Sequence, residues 1–316
     1  MKFVLSPEQR QFAASMDHLL TGMDTSAAAR AWATGEHGPG LKIWQRLTEL
    51  GVTALSVPER YGGLDATAVD LVIAFERLGY HAVPGPWVDT IAVLPALLDD
   101  EVLEGIAAGK TLASVAAPPE VPYALDADVA NLRVFVQANT VHVFAPTTPL
   151  SSVDPTRRLF CAEPGDRIGT ADDAERAFDF GSLATAAQLL GAGQWLLDSS
   201  VTYALQRQQY GREIGRYQAI KHLLADVVTQ LELTRPLVYG AAVTAATPDR
   251  QRDVSAAKVA AGEAALLAAR TGLQVHGAIG YTAEHPLSLR LTKVRALASA
   301  WGTSQFHRTR LLKALP

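Results

Sequence analysis

Three short segments of the 316-residue chain carry side chains suited to handling a ligand. In RQQYGREIGRYQAIKHLLAD, Arg207 is followed by Gln209 and Tyr210, with Gln218 further on. A guanidinium fork matches phosphate oxygens, and Tyr or Gln can stack on or bond to a heterocycle. The same spacing also suits a polar connection that caps two helices. In QVHGAIGYTAEHP, Gln274 offers a donor and acceptors, while Gly277, Ala278 and Gly280 let a ligand approach the backbone. His276 has no second histidine or carboxylate at ligand spacing, so it reads as a satisfied histidine and no metal is expected. Glu284, before His285-Pro286, reads as a helix-start or ion-pair residue. In AWGTSQFHR, the run Gly302, Thr303, Ser304, Gln305 could organise a phosphate-rich ligand, yet it follows Trp301. An indole N–H only donates, so Trp301 cannot serve as a base.

These segments need long helices to position them. Ser6-Pro7-Glu8-Gln9 reads as a capping box opening the first helix. After the loop GEHGPG, Leu41, Trp44, Leu47 and Leu50 recur at helical spacing and Gly51 is placed to end the helix. VPERYGG is a turn-rich loop, and Ala66 to Leu78 is helical again. APPEVPY reads as a linker, and the runs LRVFVQ, VHVF and RLFCA follow as a small sheet, with a turn at Asn139-Thr140. Beyond Phe180 the helical period returns: Leu183, Ala187, Leu190, Leu197, Val201 and Leu205 share a face, as do Ile220, Leu224, Val227, Leu231 and Val238. Pro248 precedes an alanine-rich helix from Asp253 to about Val275. Mainly α architecture follows: an N-terminal helical domain (1–112), a reduced middle β-domain (113–178) and a C-terminal four-helix bundle (179–316).

Composition narrows the partners. With 28 Lys+Arg against 32 Asp+Glu, the net charge of −4 provides no global positive field for nucleic acid or anionic lipid. The single cysteine, Cys161, excludes an internal disulfide or a multi-thiolate metal site and reads as a small buried hydrophobe. MKFVLSPEQRQFAASMDHLL is too polar for a signal peptide, and no apolar run spans a bilayer, so a cytoplasmic protein is expected.

The order helices, small sheet, bundle resembles the acyl-CoA dehydrogenase family over essentially the whole chain. LGVTALSVPERYGG is similar to its N-terminal signature, RQQYGREIGRYQAIKHLLAD to its bundle signature and QVHGAIGYTAEHPL to its flavin-edge loop. The resemblance implies FAD-dependent α,β-desaturation of a CoA thioester, in which a carboxylate takes the α-proton and the flavin takes hydride. It also implies two alternative places for that carboxylate. One, just before the Gly-Thr, is Trp301 here; the other, at the start of the first bundle helix, aligns near Gly181. The family pattern thus assigns this chain no catalytic residue, unless Asp179 or Glu284 stands in as a relocated base of a homomeric enzyme.

By the same resemblance, Arg207, Gln209, Tyr210, Gln218, Gln274, Gly277 and Ala278 match positions that reach the pyrophosphate and adenosine end of FAD held mainly by an adjacent subunit. Thr303 and Gln305 match cofactor positions of the Gly-Thr-Ser-Gln run. Ala278 departs from the more usual glycine, and the middle segment shows too few strands to enclose the flavin ring. The chain therefore resembles the short, non-catalytic subunits of the α2β2 acyl-CoA dehydrogenases of steroid-degrading actinobacteria. This implies FAD shared with a homologous catalytic subunit that supplies the glutamate and binds most of the acyl-CoA. The competing expectation is a flavin-free scaffold or regulatory subunit.

Overall fold

Helix α1 (Pro7–Thr21) begins with a reciprocal cap: the Ser6 hydroxyl accepts from the Gln9 amide and the Gln9 side chain accepts from the Ser6 amide, each at 3.1 Å. The computed structural model describes residues 4–171 and 173–314. Helices α2 (Thr25–Ala33), α3 (Gly38–Glu49) and α4 (Ala68–Tyr80) follow. The GPG of the expected loop instead opens α3, because Pro39 falls in the first turn, where its missing N–H is not needed. Gly51 stops the chain beyond α3 at φ +85. A π-helical turn, Val88–Val93, runs into α5 (Leu94–Leu97), and α6 (Val102–Ala107) completes the helical unit.

The middle unit holds more strand than the three runs legible in the sequence. Strands β1 (Ala113–Ala116), β3 (Leu132–Gln137), β4 (Thr140–Val143) and β7 (Arg167–Thr170) form one sheet in the order β1-β3-β4-β7. Strands β2 (Ala124–Leu125), β5 (Pro149–Leu150) and β6 (Leu159–Phe160) form a second, ordered β2-β6-β5. The additional strands have two to four residues, too few for alternation to register, and β1 is buried at every position. The β3–β4 turn lies one residue earlier than expected, at Ala138-Asn139, with Ala138 at φ +52. APPEVPY is not a linker: Ala117 and Val121 exchange backbone hydrogen bonds of 2.8 and 3.0 Å.

Helix α7 (Ala174–Gln206) opens the bundle, and Asp173 caps it by accepting from the Arg176 amide at 2.7 Å. A hairpin of β8 (Gln208–Gln209) and β9 (Arg212–Glu213) leads to α8 (Gln218–Val243). Helices α9 (Arg250–His276), α10 (Pro286–Leu297) and α11 (Ser304–Lys313) complete the unit. Helix α7 is the central post, packed by α4, α8 and α9. Its crossing with α4 requires glycine: a β-carbon at Gly191 would meet the Glu76 carbonyl at 1.8 Å. The buried Glu76 carboxylate accepts from Arg77 at 2.8 Å, from the Tyr239 hydroxyl at 2.7 Å and from Arg235, tying α4 to α8.

The predicted bundle faces are buried only in part. Leu183, Ala187, Leu190 and Leu197 are in the core, but Val201 and Leu205 are 38% and 66% exposed, because the buried face of α7 passes to Ser200 and Ala204 there. On α8, Val227, Leu231 and Val238 are buried, whereas Ile220 and Leu224 are half-buried. Leu223, Val228, Leu233 and Leu237 of α8 also face outward. Cys161 is half-buried rather than buried. Among the described residues no helix is long and apolar enough to cross a membrane.

Candidate functional site

A cleft of about 510 Å³ separates the middle unit from the end of the bundle. Residues 119–123 and 151–153 form one wall, the segment from Ala296 to Phe306 forms the other, and Asp89 contributes from the π-helical turn. Trp301 belongs to the second wall. Its backbone, at φ +53, and that of Gly302, at φ +93, turn the chain between α10 and α11. A left-handed conformation is unfavourable for a residue with a β-carbon and persists only where its surroundings enforce it.

Those surroundings consist of buried donors aimed at carbonyls. His307 lies with Nε2 2.8 Å from the Trp301 carbonyl, and Ser182 Oγ lies 3.1 Å from the same oxygen. Lys258, 2% exposed, points Nζ at the carbonyls of Leu297 and Ala298, each at 3.2 Å, and of Gly302 at 3.3 Å. Burial pushes the Lys258 ammonium down to about 7, while the three carbonyls supply the contacts that its charged form favours. Burial likewise lowers His307 to about 4. A carbonyl can only accept, so the His307 proton resides on Nε2, leaving Nδ1 to accept from Ser255 Oγ at 3.2 Å.

The indole packs against the start of α7. A β-carbon built on Gly181 would stand 2.4 Å from Trp301 Cε3, so no side chain fits there beside this indole. Neither substitute base lines the cleft. Asp179 is 1% exposed, and its carboxylate is held by Arg250 Nε at 2.8 Å and by Arg310. Glu284 is exposed on the loop before α10, where its main-chain carbonyl accepts from Arg30 at 2.7 Å. These placements overturn both residues as relocated bases: Asp179 is spent in a buried ion pair, and Glu284 lies outside the cleft.

The cleft does contain a carboxylate that the motifs did not reveal. Asp89, 2% exposed, accepts from the Val115 amide at 2.9 Å through Oδ2. Burial raises its carboxyl to about 7, against the opposing pulls of that amide and the Arg157 charge. The available signal was a lone acidic residue inside an apolar run, Trp87 to Leu94.

The remaining predicted residues divide between two places. Helices α7 and α9 run parallel, since Asp179 meets Arg250 near their starts and Tyr203 stacks on His276 near their ends, with ring centroids 4.5 Å apart. Arg207, Gln209, Tyr210 and Gln218 therefore lie at the same end of the bundle as Gln274, Gly277 and Ala278, and all seven are exposed. Tyr210 at φ +50 and Gly211 at φ +79 form the hairpin tip, leaving the Tyr210 ring 94% exposed. The Tyr217 hydroxyl holds this hairpin by donating to the Gln209 carbonyl at 3.0 Å. Gly277 adopts φ +64 with nothing within 4 Å of an added β-carbon, so its backbone is open to approach.

Thr303 and Gln305 lie at the other end, beside Trp301. The 26 residues of α7 from Gly181 to Gln206 correspond to about 39 Å at the helical rise. Thr303 also caps α11, accepting from the Phe306 amide at 3.2 Å. Gly280 is buried against Leu287 and Leu273 rather than open. His276 is satisfied as expected, with Nδ1 2.8 Å from the Gly272 carbonyl.

Comparison with known proteins places these features in a family. Residues 6–99 match the model for the acyl-CoA dehydrogenase N-terminal domain and residues 171–315 that for the acyl-CoA dehydrogenase C-terminal domain. The acyl-CoA dehydrogenase IpdE2 of Mycolicibacterium smegmatis is 32% identical over 281 residues, covering 87% of this chain and 88% of that protein. The fold is shared with the ChsE4-ChsE5 complex from Mycobacterium tuberculosis (TM-score 0.88, 20% identity, 100% of both chains). It is also shared with a variant of the Tcur3481-Tcur3483 steroid acyl-CoA dehydrogenase (TM-score 0.85, 18% identity, 97% of both chains).

Proposed function

Since this chain belongs to the acyl-CoA dehydrogenase family, we propose that it is the non-catalytic subunit of a heteromeric, FAD-dependent acyl-CoA dehydrogenase that desaturates a CoA thioester. The observation that carries this reading is the packing of Trp301 on Gly181. Both family positions for the base lack a carboxylate, and the indole fills the space between them. A homologous partner brings the glutamate and most of the acyl-CoA site, in an α2β2 assembly. The fold shared with the ChsE4-ChsE5 complex and with a steroid acyl-CoA dehydrogenase supports a heteromer and a steroid-derived substrate.

The residues at the Arg207 end fit the phosphate part of FAD. An exposed guanidinium and an unobstructed Gly277 backbone suit an anion presented from outside the chain. Arg207 and Gln274 would hold the pyrophosphate and adenosine end, with Gln209, Tyr210, Gln218 and Ala278 around them. When bound, FAD supplies the hydride acceptor. This chain contributes binding and orientation, while Trp301 fills the space beside Gly181 and Lys258 and His307 hold the turn that carries it. The outward-facing leucines and valines of α8 give the partner an apolar surface.

Co-expression with a homologous, glutamate-bearing partner tests the reading. The expected result is a yellow complex that reduces an electron acceptor with acyl-CoA, and a colourless, inactive lone chain. Flavin and turnover in the lone chain would refute it, and a colourless complex would mark a scaffold.

A further inference from the structure

Arg157 and Arg158 are consecutive, half-buried and used differently. Arg158 is bound to Asp128 by Nε at 2.8 Å and by a second nitrogen at 2.6 Å. Arg157 lines the cleft, and among the described residues no side-chain or carbonyl oxygen forms a hydrogen bond or ion pair with its guanidinium. Its nitrogens are not sealed in the protein. A rigid turn presents it: Asp154 Oδ1 accepts from the Thr156 amide at 3.0 Å and from its hydroxyl at 2.8 Å, and the Asp154 carbonyl accepts from the Arg157 amide at 3.0 Å. Arg157 also borders a smaller recess of about 280 Å³ on the far side of this segment. Around the guanidinium the cleft is largely apolar, with Trp301, Phe306, Val153 and Leu159 in its walls.

We propose that this cleft is a binding site for a small carboxylic acid with a compact apolar body, its carboxylate on Arg157 and its body against Trp301 and Leu159. A half-buried guanidinium that acts on Asp89 and Asp126 only from a distance has no acceptor at hydrogen-bond range, and a carboxylate supplies a matching pair. The volume of about 510 Å³ falls in the range of small-ligand pockets. Asp89 and Glu120 in the same cleft limit the ligand's charge: both repel an anion, and a phosphate dianion meets about twice the repulsion of a single carboxylate, whose one charge Arg157 can balance. A thioester carries no charge, so the site prefers a free acid to its CoA ester. The assignment does not rest on the subunit role, since a scaffold with this cleft would bind the same acid.

Calorimetric titration of the full chain with cyclohexanecarboxylate, cyclohexanecarboxamide and inorganic phosphate tests it. Saturable binding of the carboxylate is expected, with the neutral amide weaker by about tenfold or more, the loss for one charge-assisted contact. Arg157→Gln should reduce the carboxylate to the level of the amide, and Arg157→Lys should retain part of the preference. Absence of saturable carboxylate binding, equal binding of the amide, tighter binding of phosphate, or an unaltered Arg157→Gln protein would each overturn the proposal. Should the variants fail to fold, the carboxylate-to-amide ratio on the unaltered chain decides.

Discussion

Trp301 and Gly181 lie so close that a β-carbon on Gly181 would stand 2.4 Å from the indole Cε3. On the proposed reading, the two alternative positions for the base thus converge on one spot, and the spot has room for one large side chain. When the indole takes it, position 181 must be glycine. A carboxylate side chain at 181 alone has no room beside the indole.

That relationship predicts a coupling. Gly181→Ala should destabilise the chain by about 1–3 kcal/mol through overpacking. Trp301→Ala, which empties a buried aromatic site, should cost about 3–5 kcal/mol. Once the indole is gone, the alanine at 181 has room, so the double variant should lose at least about 1 kcal/mol less than the two single losses together. Urea unfolding of the four proteins measures this, and strict additivity would mean that the two residues do not compete for space.

Asp179 separates a structural carboxylate from a chemical one. Asp179→Ala leaves Arg250 and Arg310 facing each other without their shared anion, and breaking a buried pair typically costs about 3–5 kcal/mol. The expected outcome is a large drop in the urea midpoint. In whatever fraction stays folded in a complex, flavin content should be unchanged. A relocated base would give the reverse, an intact fold with turnover abolished.

What could be read from the sequence was mostly local. The capping box at Ser6–Gln9 and the spacing of Leu41, Trp44 and Leu47 before Gly51 depend on neighbours within a turn or two, and α1 and α3 form accordingly. Strands β2 and β5 have two residues each and owe their existence to pairing with β6, which no local pattern encodes. Val201 and Leu205 continue the spacing of core residues, but the buried face of α7 has turned to Ser200 and Ala204 by that point. The cleft was hidden for the same reason: Asp89, Arg157 and Trp301 come from segments far apart in the chain. Nothing adjacent to Lys258 or His307 in sequence reveals the carbonyls they serve, since those belong to the turn after α10.

His307 should make stability depend on pH in a definite direction. Its folded value, lowered by burial to about 4, lies below the ordinary 6.5, so between these limits the unfolded chain binds the proton and the folded chain does not. Its contribution is therefore fully present above pH 6.5 and is lost as the pH falls toward 4, by on the order of 3 kcal/mol. Asp89 and Asp126, raised by burial to about 7, slope the other way over much of the same range. The difference between the unaltered chain and His307→Asn isolates the histidine. Plotted against pH, that difference should shrink on acidification, and a flat difference would mean that the imidazole is not held neutral.

Arg207 tests the far end of the bundle independently of the cleft. It is exposed just past α7 and serves no buried network, so Arg207→Ala should leave the urea midpoint within about 0.5 kcal/mol of the unaltered chain. If its guanidinium meets a phosphate of FAD held by a partner, one charge-assisted hydrogen bond, worth about 1.5–3 kcal/mol, is lost. FAD affinity of the complex should then fall by roughly 10- to 100-fold. The weakening should be steepest at low ionic strength in the unaltered complex and flatter in the variant, because the charge being screened is the one removed. Equal flavin retention by both complexes at all salt concentrations would assign Arg207 to the hairpin alone and leave the flavin entirely to the partner.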